Sequence, residues 1–236
     1  MQASNYDYRD GDEICEGFLV THNDATPRPG VIISHAWGGL GEFEQDKARA
    51  VAELGYNVLA IDMYGKGIRG KSIDENRELM GRFLGDRALL RQRINCGLDA
   101  LKSLPNVDAT KVAAMGYCFG GLCVLDLARS GAQVNGVVSI HGIFAPPENL
   151  ANEMIKAKVL ALHGYDDPMA TPENLTSFCT EMTDAGVDWQ VHAYGLTYHA
   201  FTNPQANDPG MGTVFSPSAN KRSWQALVNF LEELFA

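Results

Sequence analysis

The sequence predicts an α/β fold in three layers, with a mostly parallel sheet covered by helices on both faces. Short apolar runs alternate with helical segments along the whole chain, which is the pattern of repeated strand–helix units. Most of the runs are continuous rather than alternating, as expected of parallel strands that are buried on both faces. At 236 residues the chain fits one domain, residues 1–236, that can bury a sizeable core.

The apolar runs predict roughly seven strands. Residues 13–21 alternate only loosely, which favours an edge strand. In chain order, the predicted strands are 13–21, 31–35, 56–62, 111–116, 134–140, 158–162 and 188–194. In such a sheet, ligands collect at the carboxyl ends of the strands, so the polar residues that follow each run are the candidates for a site.

The helices are predicted from their spacing and their end signals. The helical segments are 42–54, 74–103, 120–129, 172–185 and a closing helix from 217. Gly55 takes the C-cap position of the first helix, and we expect a break near Gly85 in the second. Thr171 and Pro172 form an N-cap and first-turn pair. The segment 141–156 is too short to fold into a separate lid domain.

The charge of the chain argues against several classes of partner. The formal net charge is −10 and the pI is near 5.0, which disfavours a sequence-independent hold on nucleic acid or anionic lipid. No stretch approaches membrane-spanning length, and the polar N-terminal residues lack the apolar core of a signal peptide. We expect a small-molecule substrate, no nucleic-acid or membrane partner, and a monomer or small homo-oligomer.

The cysteines indicate a reducing compartment. There are five of them, at positions 15, 96, 118, 123 and 179. An odd number without paired metal spacing predicts neither a disulfide framework nor a metal site. With the polar N-terminus, this pattern favours a cytoplasmic location.

The strongest chemical signal is the stretch Gly-Tyr-Cys-Phe-Gly at 116–120, which predicts a strand, a tight turn and a helix. This is the nucleophile-elbow spacing with Cys118 in place of a serine, and its crowded turn needs small neighbours. The helix that follows points its free N–H groups and positive dipole end at the sulfur, which favours the thiolate. Cys118 is therefore the candidate nucleophile. The structural alternative is a small buried cysteine that lets two elements pack closely.

Such a nucleophile needs a base, and the base needs a carboxylate to orient it. With this elbow the chain order is nucleophile, acid, histidine, which fits Cys118, Asp167 and His199. Asp166 competes for the role of the acid, although it also suits a turn before Asp-Pro. His141 is the second choice for the base and a candidate for the pocket wall.

Two backbone N–H groups are expected to form an oxyanion hole. One belongs to Phe119, the residue after the nucleophile. The other belongs to Trp37 or its neighbour Ala36, in the loop after the strand 31–35. Gly38 and Gly39 let that loop approach closely.

Three stretches together resemble the dienelactone hydrolase family. They are Gly-Tyr-Cys-Phe-Gly-Gly at 116–121, His-Gly-Tyr-Asp-Asp-Pro at 163–168 and Tyr-His-Ala-Phe-Thr-Asn-Pro at 198–204. The resemblance covers nearly the whole chain. It implies an α/β-hydrolase fold without a lid domain, a triad at Cys118, His199 and Asp167, and neither a metal nor an organic cofactor.

Two departures from the family pattern bear on the substrate. The family usually has an acidic residue after the early strand that interacts with the nucleophilic thiol, where this chain has Ala36. The authentic lactonases also hold the substrate carboxylate with arginines, one of them shortly after the catalytic histidine, where this chain has Asn203. Arg77 is a candidate for the other arginine. The sequence thus supports an ester or lactone hydrolase acting through a thioester better than it supports dienelactone as the substrate.

The rival interpretation is a non-catalytic thiol protein, a redox sensor or binding module on the same scaffold. Cys123 would then be the resolving partner of Cys118. A sensor does not require an acid and a base in two strand-end loops, so the pattern favours the hydrolase.

Overall fold

A computed structural model describes residues 1–24 and 26–236, and it contains an eight-stranded sheet and a two-stranded ribbon. The strands of the sheet are β1 (Gln2–Asp10), β2 (Glu13–Thr21), β3 (Arg28–Ser34), β4 (Asn57–Ile61), β5 (Val107–Tyr117), β6 (Gly136–Ile140), β7 (Lys158–Gly164) and β8 (Trp189–Tyr194). Their order is β1-β2-β4-β3-β5-β6-β7-β8. Strand β2 pairs antiparallel with β1 and β4, and the other neighbours are parallel. The predicted mostly parallel sheet is therefore confirmed.

The described helices match the predicted segments closely. They are α1 (Glu42–Glu53), α2 (Ile73–Gly85), α3 (Arg87–Lys102), α4 (Phe119–Arg129), α5 (Pro172–Asp184) and α6 (Pro217–Phe235). The predicted break near Gly85 is present, because the Asp86 carboxylate accepts a hydrogen bond from the N–H of Leu89 at 2.9 Å and caps α3. Within the described residues no helix has both the length and the apolar character needed to span a bilayer.

The edge strand was predicted wrongly. Residues 13–21 form β2, which has a partner on each side, and the edge is β1, a strand that the sequence did not indicate. Most of β1 is polar and exposed, so it lacks an apolar pattern. Its inner end is fixed by two buried contacts. The Tyr8 hydroxyl donates to the carbonyl of Asp62 at 2.9 Å, and Asp10 pairs with Arg93 at 2.7 Å.

The core lies on both faces of the sheet, because consecutive residues of the central strands point to opposite sides. Val31 and Ile33 of β3 pack in the cluster that includes α1 and α6, whereas Ile32 packs with α3 and α4. All three are fully buried. Burial of each such side chain contributes about 1.5–3 kcal/mol relative to its exposure.

The parallel strands bring five loops to one edge of the sheet. These loops follow β3, β5, β6, β7 and β8, and they carry Trp37, Cys118, His141, Asp167 and His199 respectively. The loop after β8 also holds the short ribbon formed by β9 (Asn207–Asp208) and β10 (Thr213–Val214). The polar residues that the sequence marked at strand ends therefore share one region of the molecule.

Candidate active site

Cys118 occupies a strained turn between β5 and α4. Its backbone lies at φ 57° and ψ −116°, a conformation that costs a non-glycine residue on the order of 1–3 kcal/mol. Gly116 and Gly120 flank this turn, and neither position has room for a side chain. A Cβ on Gly116 would lie 2.1 Å from the carbonyl oxygen of Gly120, and a Cβ on Gly120 would lie 2.1 Å from that of Ser34. The turn therefore closes only with glycine at both positions.

His199 is held by Asp167. The Nδ1 of His199 lies 2.6 Å from the Oδ2 of Asp167, and both side chains are buried. The other carboxylate oxygen of Asp167 accepts the N–H of Met169 at 2.8 Å. The short contact fixes the proton of the imidazole on Nδ1 and leaves Nε2 for chemistry. Nε2 makes no hydrogen bond of ordinary geometry to any described residue.

Asp166, the competing acid, has a structural task instead. Its carboxylate accepts the N–H of Thr197 at 3.2 Å, and its own N–H donates to the carbonyl of Thr197 at 3.0 Å. These bonds tie the acid loop to the loop that carries His199. Asp166 thus sets the distance between the two loops and does not reach the imidazole.

The sulfur of Cys118 and the imidazole of His199 stabilise each other as an ion pair. Burial raises the pKa of the Cys118 thiol, but the charge of His199 and the backbone N–H groups of Phe119 and Trp37 outweigh it and bring the pKa below its ordinary value. Burial lowers the pKa of His199, but the Cys118 thiolate and the Asp167 carboxylate raise it to about 10. Both shifts favour a thiolate on Cys118 and an imidazolium on His199.

The backbone groups that stabilise the thiolate are the two predicted for the oxyanion hole. Phe119 supplies its N–H from the first turn of α4, where the dipole favours negative charge. Trp37 supplies its N–H from the loop after β3. The same two donors lie beside the atom that would attack a carbonyl, so an oxyanion formed there would meet them directly.

Glu44, in the first turn of α1, holds the loop that carries Trp37. Its carboxylate is buried, and it accepts the N–H of Ala36 at 3.1 Å and the N–H of Gly41 at 3.0 Å. The two donors bracket residues 37–40. The sequence did not single out this residue, because an acidic residue in a first turn is already explained by the helix dipole. Glu44 fixes the backbone of the loop that carries the N–H of Trp37, the second predicted oxyanion donor.

His141 contacts the elbow but does not take the position of a base. Its Nδ1 accepts the N–H of Cys118 at 3.1 Å, and its Nε2 lies 2.9 Å from the hydroxyl of Thr202. Both ring nitrogens are thus occupied. Burial and the neighbouring His199 hold the pKa of His141 well below its usual value, so the ring is neutral. It supports the backbone of Cys118 and lines the cavity.

A cavity of about 500 Å³ lies over Cys118, with both His141 and His199 in its wall. The predicted substrate-binding residues Ala36 and Arg77 also line it, as does Asn203. Arg77 lies at the rim, because its side chain is 63% exposed and pairs with Asp74 at 3.3 Å. No group of three or more His, Cys, Asp or Glu side chains within residues 1–24 and 26–236 is arranged to hold a metal ion.

Cys123, the resolving cysteine of the redox alternative, lies one and a half turns along α4 from Cys118. It is fully buried, and burial raises the pKa of its thiol well above the ordinary value. A resolving cysteine must reach the thiolate state and be accessible. Cys123 has neither property in this structure, which favours the hydrolytic interpretation of Cys118.

The ion pair predicts that Cys118 is alkylated rapidly at neutral pH. An ordinary thiol has a pKa of about 8.5 and loses its reactivity toward iodoacetamide below that pH. Because the pKa of Cys118 is lowered, we expect its alkylation rate at pH 7 to exceed that of an ordinary thiol and to fall as the pH drops through the lowered pKa. In the His199→Ala variant burial acts without the compensating charge, so the rate at pH 7 is expected to fall sharply.

Alkylation is followed by intact-protein mass over a series of pH values, with the Cys118→Ala variant as the blank. The blank corrects for Cys96 and Cys179, which are half-buried; burial raises the pKa of Cys96 to about 11 and also raises that of Cys179. The pH at which the alkylation rate is half-maximal is compared between the wild type and His199→Ala. If it is at or above that of an ordinary thiol and is the same in the two proteins, the ion pair is contradicted.

Comparison with known proteins identifies the family. The model of the dienelactone hydrolase family matches residues 15–235. A solved structure described as a dienelactone hydrolase-like promiscuous phosphotriesterase from metagenomic libraries is 36% identical, covers 100% of this chain and 99% of that chain, and superposes with a TM-score of 0.92. An uncharacterized protein of Caenorhabditis elegans is 36% identical over 150 residues, 62% of this chain and 95% of its own length. The dienelactone hydrolase of Anabaena variabilis, 19% identical, shares the fold over 98% of this chain and 97% of that chain with a TM-score of 0.68. The sheet order, the elbow and these matches agree that the chain has the α/β-hydrolase fold and belongs to the dienelactone hydrolase family.

Proposed function

We propose that this protein hydrolyses carboxylic esters or lactones through a thioester formed on Cys118. The observation that carries the proposal is the buried contact between His199 and Asp167, which leaves a cationic imidazole beside the Cys118 sulfur. A thiolate of lowered pKa, a proton donor and two oxyanion donors at the carboxyl edge of the sheet are the parts that acyl transfer needs.

In the first half of the reaction the Cys118 thiolate attacks the carbonyl carbon and forms a C–S bond. The oxyanion that develops accepts hydrogen bonds from the N–H groups of Phe119 and Trp37. When it collapses, the C–O bond to the leaving group breaks. The imidazolium of His199 gives its Nε2 proton to the departing alkoxide, which becomes the alcohol. The site then holds a thioester on Cys118 and a neutral imidazole.

In the second half the neutral His199 takes a proton from water, and the resulting hydroxide attacks the thioester carbonyl. The second tetrahedral species rests on the same two N–H groups. The C–S bond then breaks, the carboxylic acid loses its proton to solvent, and the thiolate–imidazolium pair is restored. Asp167 stays ionised throughout and keeps the proton of the imidazole on Nδ1.

The test is a stopped-flow assay with p-nitrophenyl acetate on the wild type, Cys118→Ala and His199→Ala. We expect a burst followed by steady turnover in the wild type, and the loss of both in each variant. A mass increase of one acetyl group on quenched wild-type protein would identify the acyl-enzyme. Full activity in Cys118→Ala contradicts the proposal. If all three proteins are equally inert while peroxide still oxidises the wild-type thiol, the redox interpretation replaces it.

A second candidate function is the hydrolysis of phosphotriesters. It is favoured by the 36% identity, over the whole chain, to the structure named as a promiscuous phosphotriesterase. The same assay with a p-nitrophenyl dialkyl phosphate measures it. Release of p-nitrophenol by the wild type but not by Cys118→Ala would support this second function. Release no faster than in the blank would contradict it.

A further inference from the structure

The walls of the cavity over Cys118 are largely apolar. Met80, Ile143, Met169 and Met211 line it from four separate segments of the chain. Its volume of about 500 Å³ is in the range that accommodates small organic molecules. Methionine side chains are unbranched and adaptable, so these walls accept apolar groups of different shapes.

The fixed charges of the cavity disfavour an anionic ligand. Apart from Cys118 and His199, the buried ionisable side chain with an acidic group in the described wall is Glu44, which is 4% exposed. Among the described wall residues, Arg77 is the only lysine or arginine. Its side chain is mostly exposed at the rim and already pairs with Asp74. An exposed pair of this kind contributes little to the binding of a further charge.

The histidines of the wall do not supply the missing cation. His141 is neutral, because burial holds its pKa low. The positive charge of His199 already interacts with two anions, the Cys118 thiolate and the Asp167 carboxylate. The nearby ammonium of Lys47 lies over the rings of Phe43, Tyr117 and Trp224 and is not part of the wall.

A carboxylate that entered this cavity would lose its hydration, and the buried cation that it would meet, His199, is already paired with two anions, so its entry is costly. An uncharged ester meets no such cost, and its apolar groups gain contact with the walls. We infer that the site takes substrates whose acyl and leaving groups are both uncharged and largely apolar. This inference rests on the proposed function and names its substrate class.

The test compares two substrates that differ in one charge. They are the mono-p-nitrophenyl ester of adipic acid, which ends in a carboxylate, and the same compound with that carboxylate capped as a methyl ester. For the wild type we expect kcat/KM to be higher for the capped ester by at least about tenfold, chiefly through a lower KM. p-Nitrophenyl acetate is run beside them as a measure of basal turnover.

Two variants of one wall residue test the electrostatic cause. Met80 is half-buried on α2, where lysine and glutamine are both good helix formers. Met80→Lys adds a cation to the wall, and we expect it to reduce the preference for the capped ester. Met80→Gln adds polarity without charge, and it is expected to leave the ratio of the two kcat/KM values as in the wild type. Thermal unfolding of both variants verifies that they are folded.

The outcomes separate the inference from the function on which it rests. If the wild type turns over acetate and hydrolyses both adipate esters equally, or prefers the carboxylate, the substrate class is wrong and the hydrolase stands. If the wild type turns over none of the three, the proposed function fails and the inference with it. An unchanged ratio in Met80→Lys would falsify the electrostatic argument, and so would an equal change in Met80→Gln.

Discussion

The Asp167→Asn enzyme is expected to fold normally and to hydrolyse p-nitrophenyl acetate about 10³–10⁴-fold more slowly than the wild type. The Asp167 carboxylate accepts the Nδ1 proton of His199 at 2.6 Å and raises its pKa. An asparagine that turns its amide N–H₂ toward the ring stabilises the tautomer with a bare Nδ1 and its proton on Nε2. It also removes one of the two negative charges that raise the pKa of the ring, the other being the Cys118 thiolate. The imidazolium that pairs with Cys118 is then less favoured near neutral pH.

The matched control is Asp166→Asn, one position earlier in the same loop. Among residues 1–24 and 26–236, the hydrogen-bond partner of Asp166 is the backbone of Thr197, so this variant is expected to keep near wild-type kcat/KM. Both variants are compared by kcat/KM over a pH series and by thermal unfolding. An equal loss in the two variants, or a normal rate in Asp167→Asn, contradicts the assignment of Asp167.

Gly120→Ala is expected to destabilise the protein by at least about 3 kcal/mol. The added Cβ would lie 2.1 Å from the carbonyl oxygen of Ser34 and 2.8 Å from that of His35. These are backbone atoms at the end of β3, so relief requires α4 to move away from the sheet. Urea unfolding measures the loss, and a low yield of soluble protein is the coarser sign of it.

Gly81→Ala is the control for the same substitution at an unconstrained site. Gly81 lies within α2, and a Cβ there would have no heavy atom of the described surroundings within 4 Å. Replacing a helical glycine by alanine in open space stabilises by about 0.5–1 kcal/mol. A Gly120→Ala protein that unfolds at the same urea concentration as Gly81→Ala contradicts the close packing at the elbow.

The sequence was sufficient for the features that depend on neighbouring residues. The strand–turn–helix around Cys118 has its whole signal within a few residues, and Asp167 and His199 follow apolar runs directly. Parallel strands end at one edge of the sheet. Because each of these three residues follows a predicted strand, the sequence nearly suffices to predict that they lie close together. The break after Gly85 was likewise local.

The features that the sequence did not reveal depend on contacts between distant residues. Strand β1 is polar, and it is held by Tyr8 and Asp10 against residues more than fifty positions away. The role of Glu44 is visible only when the loop after β3 folds back onto α1. The position of His141 after a predicted strand is compatible with a base, and only the contact of its Nδ1 with the backbone N–H of Cys118 reveals its supporting role.

The backbone conformation of Cys118 has a consequence for the evolution of the chain. At φ 57° and ψ −116°, glycine would occupy the position without the steric cost that cysteine bears. If Cys118 is the nucleophile, as we propose, selection for thermostability alone would favour its replacement by glycine at the expense of activity. A library screened by melting temperature then needs a parallel screen for activity to retain the cysteine.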